Sequence, residues 1–143
     1  MKADVSVEAA VSAVLNSWLE AYQNRDIDAL MSLVAPDEDL FLYGTGIDEK
    51  RIGPAEFRFQ AERDWSQTEA LSFNFNIHQI SASGPVAWVA GDGFGQGRAG
   101  GQTIAFPLRM TAVLEKRGDD WLMVQSHVSV PAAGQEEGNS VPA

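Results

Sequence analysis

Few residue types in this chain could move a proton or grip a ligand by charge: two histidines, twenty acidic residues, ten basic residues and no cysteine among 143 residues. Without cysteine there is no disulfide framework, no thiolate metal site and no cysteine nucleophile. Asp92 draws attention because it shares its alternation phase with Val86, Trp88, Ala90 and Phe94. A carboxylate pointing where aromatic groups point would hold its proton more tightly and could act as acid or base, which makes Asp92 a candidate catalytic residue. The alternative is that Gly91 and Gly93 bend the strand and let Asp92 reach water. His78 accompanies Asn74 and Asn76 on a polar phase, where it lines a pocket mouth or is simply solvated, and His127 sits on a second polar phase. Neither histidine has a partner at metal-ligand spacing, so no bound metal and no cofactor are expected.

The segment Gly46-Ile47-Asp48-Glu49-Lys50-Arg51 sets two acids beside two bases. Such a run is usually a solvated turn. At a pocket rim, however, Asp48 would pair with Arg109 or orient a polar ligand. Gly95-Gln96-Gly97-Arg98-Ala99-Gly100 fits a bare Gly-x-Gly-x-x-Gly pattern, but it leads into a strand where a dinucleotide site needs a helix, so the match is accidental. Seven of the thirteen glycines lie between Gly84 and Gly101, which reads as a mobile hairpin or lid. Trp18, Tyr43, Trp88, Asp92 and Met110 are the candidate pocket-lining residues for a mostly apolar or aromatic ligand.

The elements that must position these groups follow from periodicity. Val7, Val11, Val14, Leu15, Trp18, Leu19 and Tyr22 recur at helical steps, with Ser6 as the cap. Asp26 caps a shorter helix carrying Ile27, Leu30, Met31 and Val34, which Pro36 ends. Asp39 to Tyr43 reads as a strand, and Gly53-Pro54 opens a third helix with Phe57, Ala61 and Trp65 on one side, ending near Gln67. The remainder is β-like: a strand with Leu71, Phe73, Phe75 and Ile77 on one face, a second over Val86 to Ala90, a third from about Thr103 to Lys116, and a return from Trp121 to Val130. Residues 132–143 read as a flexible tail after a single domain over residues 1–131.

Helices followed by long consecutive strands define an α+β domain, with the helices gathered on one face of a curved antiparallel sheet. Alternation assigns Leu108, Met110, Ala112 and Leu114, with Leu122, Val124, Val128 and Val130, to the core face. The opposite face then carries Arg109, Thr111, Val113, Glu115, Trp121, Met123, Gln125, His127 and Ser129. That mixture suits a protein interface, and a homodimer through Arg109, Trp121, Gln125 and His127 is expected. A formal charge of -10 argues against nucleic acid and anionic lipid as partners. No stretch is apolar and long enough to span a bilayer, and no signal peptide is apparent, so a cytoplasmic protein is expected.

Several of these segments together resemble a known family. Trp18 to Tyr22, Asn24 to Leu30, Tyr43-Gly44-Thr45-Gly46, the Gly53 helix, Arg109-Met110-Thr111, and Trp121 with Gln125-Ser126-His127-Val128-Ser129 are similar to a SnoaL-like domain of the NTF2-like superfamily. The ending also resembles the association domain of calmodulin-dependent protein kinase II. The resemblance covers about residues 5 to 131 and implies a cone-shaped half-barrel, three N-terminal helices on a curved sheet, a pocket between them and a dimer through the outer sheet face. It implies no single reaction, since the superfamily hosts isomerases, cyclases, hydrolases, dehydratases, carriers and assembly modules. The oxyanion-donating tyrosine of its ketosteroid isomerases falls on Trp18, and the position of their general-base carboxylate falls near Tyr43 or Gly44, where the sequence has no acidic residue. The acid and histidine pair of its polyketide cyclases has no counterpart in the final strand, and the pocket arginines of the kinase association domain fall on Gly93, Ala112 and Val128. Two functions follow as expectations: a small-molecule-binding protein of unknown reaction, or a dimerisation and association module without catalysis.

Overall fold

The computed structural model describes residues 1–143. Its first helix, α1, spans Val5–Gln23 and buries Val11, Leu15, Ala21 and Tyr22. The cap is Asp4 and not Ser6: the Asp4 carboxylate accepts the Val7 amide at 2.9 Å, while the Ser6 hydroxyl donates to the same carboxylate. A carboxylate at a helix start satisfies an otherwise unpaired N–H and complements the positive end of the helix dipole. α2 spans Ile27–Met31, capped by Asp26, and α3 spans Pro54–Ser66 with proline in its first turn. Between α1 and α2, Arg25 takes a positive φ of 57° and sends its guanidinium to the carbonyls of Trp65 and Thr68. One side chain thereby ties the exit of α1 to the end of α3.

Six strands form one curved, unclosed sheet in the order β2-β1-β6-β5-β4-β3: β1 is Phe41–Tyr43, β2 Lys50–Ile52, β3 Ala70–Ser83, β4 Val86–Ala99, β5 Gln102–Arg117 and β6 Asp120–Ser129. β1 runs parallel to β6 and every other pair is antiparallel. β2 falls inside the segment expected to be a solvated turn; it closes a hairpin with β1 that places Tyr43 opposite Lys50. The helices cover one face, and the core there joins Val11, Leu15 and Tyr22 to Phe57, Ala61, Val89, Met110, Ala112 and Leu114. No helix is long and apolar enough to cross a membrane. Residues 132–143 contain no helix or strand and are exposed throughout.

Two departures from plain alternation decide which side chains face inward. In β6, Val113 pairs with Gln125 but Leu114 pairs with Met123, so Val124 is an extra residue that reverses the phase before it. Trp121 and Met123 therefore point into the core, at 5% and 3% exposure, and Trp121 is not part of any outer interface. Leu122, expected in the core, pairs with Glu115 and shares its outward phase. Arg109, Gln125 and His127 do lie on the outer face, opposite the helices.

The second departure is β4, which runs unbroken through the glycine-rich stretch and is neither a loop nor a lid. Gly91, Gly93, Gly95 and Gly97 all lie on its inner phase, continuing Ala87 and Val89. A Cβ added to Gly93 or Gly97 would strike the backbone carbonyl of Asn74 or Ala70 on β3, and one added to Gly91 would come within 2.7 Å of the Asn76 carbonyl. The missing side chains let β3 curl over β4, which bends the sheet. Gly93→Ala should cost about 1–3 kcal/mol of stability, the range of a forced overpacking, read as a lower chemical-denaturation midpoint by circular dichroism. Gly84→Ala, where a Cβ meets nothing, should cost only the strain of its positive φ of 56°.

Candidate functional site

Curling the sheet leaves a cavity of about 160 Å³ between α1, α3 and the inner faces of β3, β5 and β6. Its apolar wall is aromatic. Trp18 stacks on Tyr22 with ring centroids 5.3 Å apart, Tyr22 stacks on Phe73 at 4.8 Å, and Phe75 adjoins Phe73 at 6.2 Å. Leu71 and Ile77 extend this wall along β3, while Met110, Met123 and Val128 form the floor. An apolar cavity of about 150 Å³ accommodates benzene, so the space suits a single-ring molecule.

One end of the cavity is polar, and its groups come from three elements. Phe57, Gln60, Ala61 and Asp64 sit at i, i+3, i+4 and i+7 of α3, which sets them along one face of the helix and all in the cavity wall. The Tyr22 hydroxyl of α1 donates to Asp64 Oδ2 at 2.6 Å, and Gln60 Nε2 donates to Asp64 Oδ1 at 2.7 Å. Gln60 Nε2 also donates to Glu49 Oε1 at 3.2 Å, while Arg51 Nε donates to Gln60 Oε1 at 2.9 Å. Arg51 thus fixes which way the Gln60 amide faces, turning its NH₂ toward both carboxyl groups. Glu49, from the loop entering β2, accepts the Gly46 amide at 2.9 Å and an Arg63 N–H at 3.0 Å. Gly44, Thr45 and Ser126 complete this end.

Burial holds the Asp64 carboxyl above the ordinary aspartate range, and the nearby negative charge of Glu49 adds to the shift. Hydrogen bonds from Tyr22 and Gln60, and the positive charge of Arg63, oppose it. Burial likewise raises Tyr22, with the Asp64 charge as the next cause, so its hydroxyl keeps its proton. Asp64 therefore presents to the cavity a carboxyl that keeps its proton to higher pH than an exposed aspartate does.

The residues singled out from sequence distribute unevenly around this site. Trp18 and Met110 line the cavity. Tyr43, Trp88 and Asp92 do not: the phase of β4 that carries Trp88 and Asp92 faces outward, and Tyr43 is 45% exposed beside His127, with ring centroids 5.3 Å apart. Asp92 reaches solvent, and its carboxylate meets His78 Nε2 at 2.9 Å with both side chains more than half exposed. Its place on the outward phase of β4, and not a local bend, is what exposes it. Asp48 does not meet Arg109; it pairs with Arg63 at 2.6 Å, while Arg109 lies across from Asp92 on the outer face. Asp64, Gln60 and Glu49 escaped the reading by residue type. The signal that could have found them is the recurrence of Gln60 and Asp64 on the same helical face as Phe57 and Ala61.

A curved sheet under helices, with a pocket between them, is the NTF2-like architecture. The chain belongs to the SnoaL-like domain family, whose model matches residues 11–133. No functionally curated protein matches the sequence. Among solved structures, a putative dehydratase of the NTF2-like family from Streptomyces avermitilis superposes with a TM-score of 0.82 at 20% identity, over 92% of this chain and 100% of that one. An NTF2-like superfamily protein from Salmonella enterica serovar Typhimurium gives 0.82 at 19% identity, over 95% and 99%. A putative calcium/calmodulin-dependent protein kinase type II association domain from Thiobacillus denitrificans gives 0.72 at 17% identity, over 85% and 94%. At these identities the likeness is one of fold.

The Asp64 environment has a pH signature. A carboxyl whose pKa is higher in the folded than in the unfolded chain stabilises the fold in its protonated form. That contribution is full below the unfolded value and is lost as pH rises to the folded value. Other groups facing Asp64 are Tyr22 from α1, Glu49 from the hairpin and Arg63 from α3, with Arg25 facing Tyr22. The stability of the wild type relative to Asp64→Asn should therefore fall as pH rises above about 4, the ordinary range of an unfolded-chain aspartate, measured by urea denaturation at each pH; a flat difference would contradict the burial argument.

Proposed function

We propose that the protein binds a small, mostly apolar or aromatic molecule in the cavity between its helices and sheet. The observation that carries this reading is the aromatic wall facing a hydrogen-bonded polar end. A core meant only for stability would fill such a space, because each unfilled volume costs dispersion and transfer energy. The ligand's apolar body lies against Trp18, Phe73 and Phe75, and its polar group meets Asp64. The raised affinity of Asp64 for its proton supports a part in proton transfer to or from that group. Trp18 beside the cavity supplies a fluorescence reporter.

The test is calorimetric titration with a neutral single-ring ligand such as 2-phenylethanol. Saturable binding, accompanied by a change in tryptophan emission, is expected. Ala61→Phe, which places a ring in the cavity wall, should weaken that binding by tenfold or more while leaving the far-ultraviolet circular dichroism unchanged. No binding by the wild type of this alcohol or of its charged single-ring analogues would refute the reading.

The outer sheet face supports a second element of the proposal, assembly with another copy of the chain. Tyr43 and Phe94 are exposed there at 45% and 62%, beside Arg109, Gln125 and His127. Aromatic and arginine side chains together are the composition that interface cores favour. Sedimentation at micromolar concentration should show a dimer, and Phe94→Asp combined with His127→Asp should yield a folded monomer. A monomeric wild type would leave the face without this role.

A further inference from the structure

The polar end of the cavity has a sign. Of the side chains that line the cavity, Glu49 and Asp64 are ionisable carboxyl groups, Tyr22 keeps its proton, and none is lysine, arginine or histidine. The two arginines behind this end are committed elsewhere. Arg63 holds Asp48 and Glu49, and Arg51 donates to Gln60 while its guanidinium lies 5.0 Å from the Phe59 ring. An anion entering the cavity would meet the Asp64 carboxyl and a Glu49 already paired to Arg63, with no lining cation left to receive it. Its desolvation would go uncompensated.

The apolar wall has a sign as well. Trp18, Tyr22, Phe73 and Phe75 present a run of ring systems around the same space, and the faces of such rings carry negative potential. A cation within about 6 Å of a ring face is attracted, more so when desolvated. Stacked aromatic rings on one side and carboxyl groups on the other suit one kind of molecule: an apolar body ending in a positively charged nitrogen. The donors around Asp64 reinforce this. Tyr22 and Gln60 each spend a proton on Asp64, leaving the remaining lone pairs of its carboxyl group for a third donor. An ammonium has three N–H donors and no acceptor, which matches a site of acceptors.

Resting on the proposed binding role of this cavity, we infer that its ligand class is a lipophilic amine, bound as the ammonium ion with its nitrogen at Asp64 and its apolar body against Trp18, Phe73 and Phe75. The raised pKa of Asp64 fits this assignment, because burial, with the Glu49 charge adding to it, favours the proton that an arriving cation replaces. Binding the ammonium then releases a proton from Asp64 to solvent. No bond in the ligand is made or broken.

Three isosteric probes separate this inference from the binding role beneath it: 2-phenylethylamine, 2-phenylethanol and phenylacetate, titrated calorimetrically into the full chain at pH 7. The amine should bind at least tenfold more tightly than the alcohol, and phenylacetate should bind more weakly than either. Amine binding, followed as pH is lowered from 7 in two buffers of different ionisation enthalpy, should show net proton release that grows as pH falls, with none for the alcohol. In Asp64→Asn the amine should lose its advantage, so that the ratio of amine to alcohol affinity falls from tenfold or more to about one. If the alcohol binds as well as the amine, or phenylacetate binds better, the ligand class is wrong and the binding role stands. If none of the three binds, both fail. Should Asp64→Asn not fold, the proton-release comparison decides on the wild type alone, and release equal for amine and alcohol overturns the inference.

Discussion

Everything about the site depends on how closely two backbones approach. On the inner phase of β4, four alternate residues are glycines, and at each one a Cβ would press on the β3 backbone or on the Phe106 ring. A strand with side chains there would hold β3 at ordinary spacing and the sheet would be flatter. With none, β3 curls inward and carries Leu71, Phe73, Phe75 and Ile77 over the space that α1 and α3 enclose. The cavity is thus a consequence of what β4 lacks, and its aromatic wall is supplied by the neighbour that β4 allows to bend.

The polar end is built on a different principle, saturation. Gln60 is buried at 5% exposure, and both ends of its amide are used. A buried amide with unmet groups would cost about 1–3 kcal/mol for each, so its orientation is strongly held. Through it Arg51, itself half-buried, governs where the two carboxyl groups face. Arg25 adds a second restraint from the far side, since it binds the Thr68 hydroxyl, which in turn donates to the Asp64 carbonyl. Rigid placement of this sort is what recognition of a small polar group requires, because a loosely held carboxyl group would be ordered only at the expense of binding.

Much of the fold was legible in the order and period of the residues, and the reasons for success and failure are local. The three helices declared themselves because their apolar residues recur at steps of three and four, and the Gly53-Pro54 start of α3 is a strong signal. The inner face of β3 followed from plain alternation over Leu71 to Ile77. Alternation failed in β6, because one extra residue at Val124 inverts the assignment of Trp121 and Met123, and nothing in the residue types marks a bulge there. It misled in β4 for another reason. Glycine gives no periodic signal, so the phase carrying Trp88 and Asp92 looked inward when the bare phase was the inner one. The candidate site was the least legible part. Asp64 lies in a helix rich in charge, beside Arg58, Glu62 and Arg63, and only its angular position sets it apart.

Glu49 carries a consequence for how such a protein can change over time. The same carboxylate lines the cavity, holds the Gly46 turn and receives Arg63. Any replacement that retunes the cavity at this position also loosens the β1–β2 hairpin, so selection acts on both effects together. The β3 wall answers its second demand by packing alone: Leu71, Phe73, Phe75 and Ile77 also pack against the core, where apolar side chains of similar volume exchange at little cost. Changes of shape can therefore accumulate along β3 while the charged end stays fixed, and descendants of this chain would drift in the size of the cavity sooner than in its polarity.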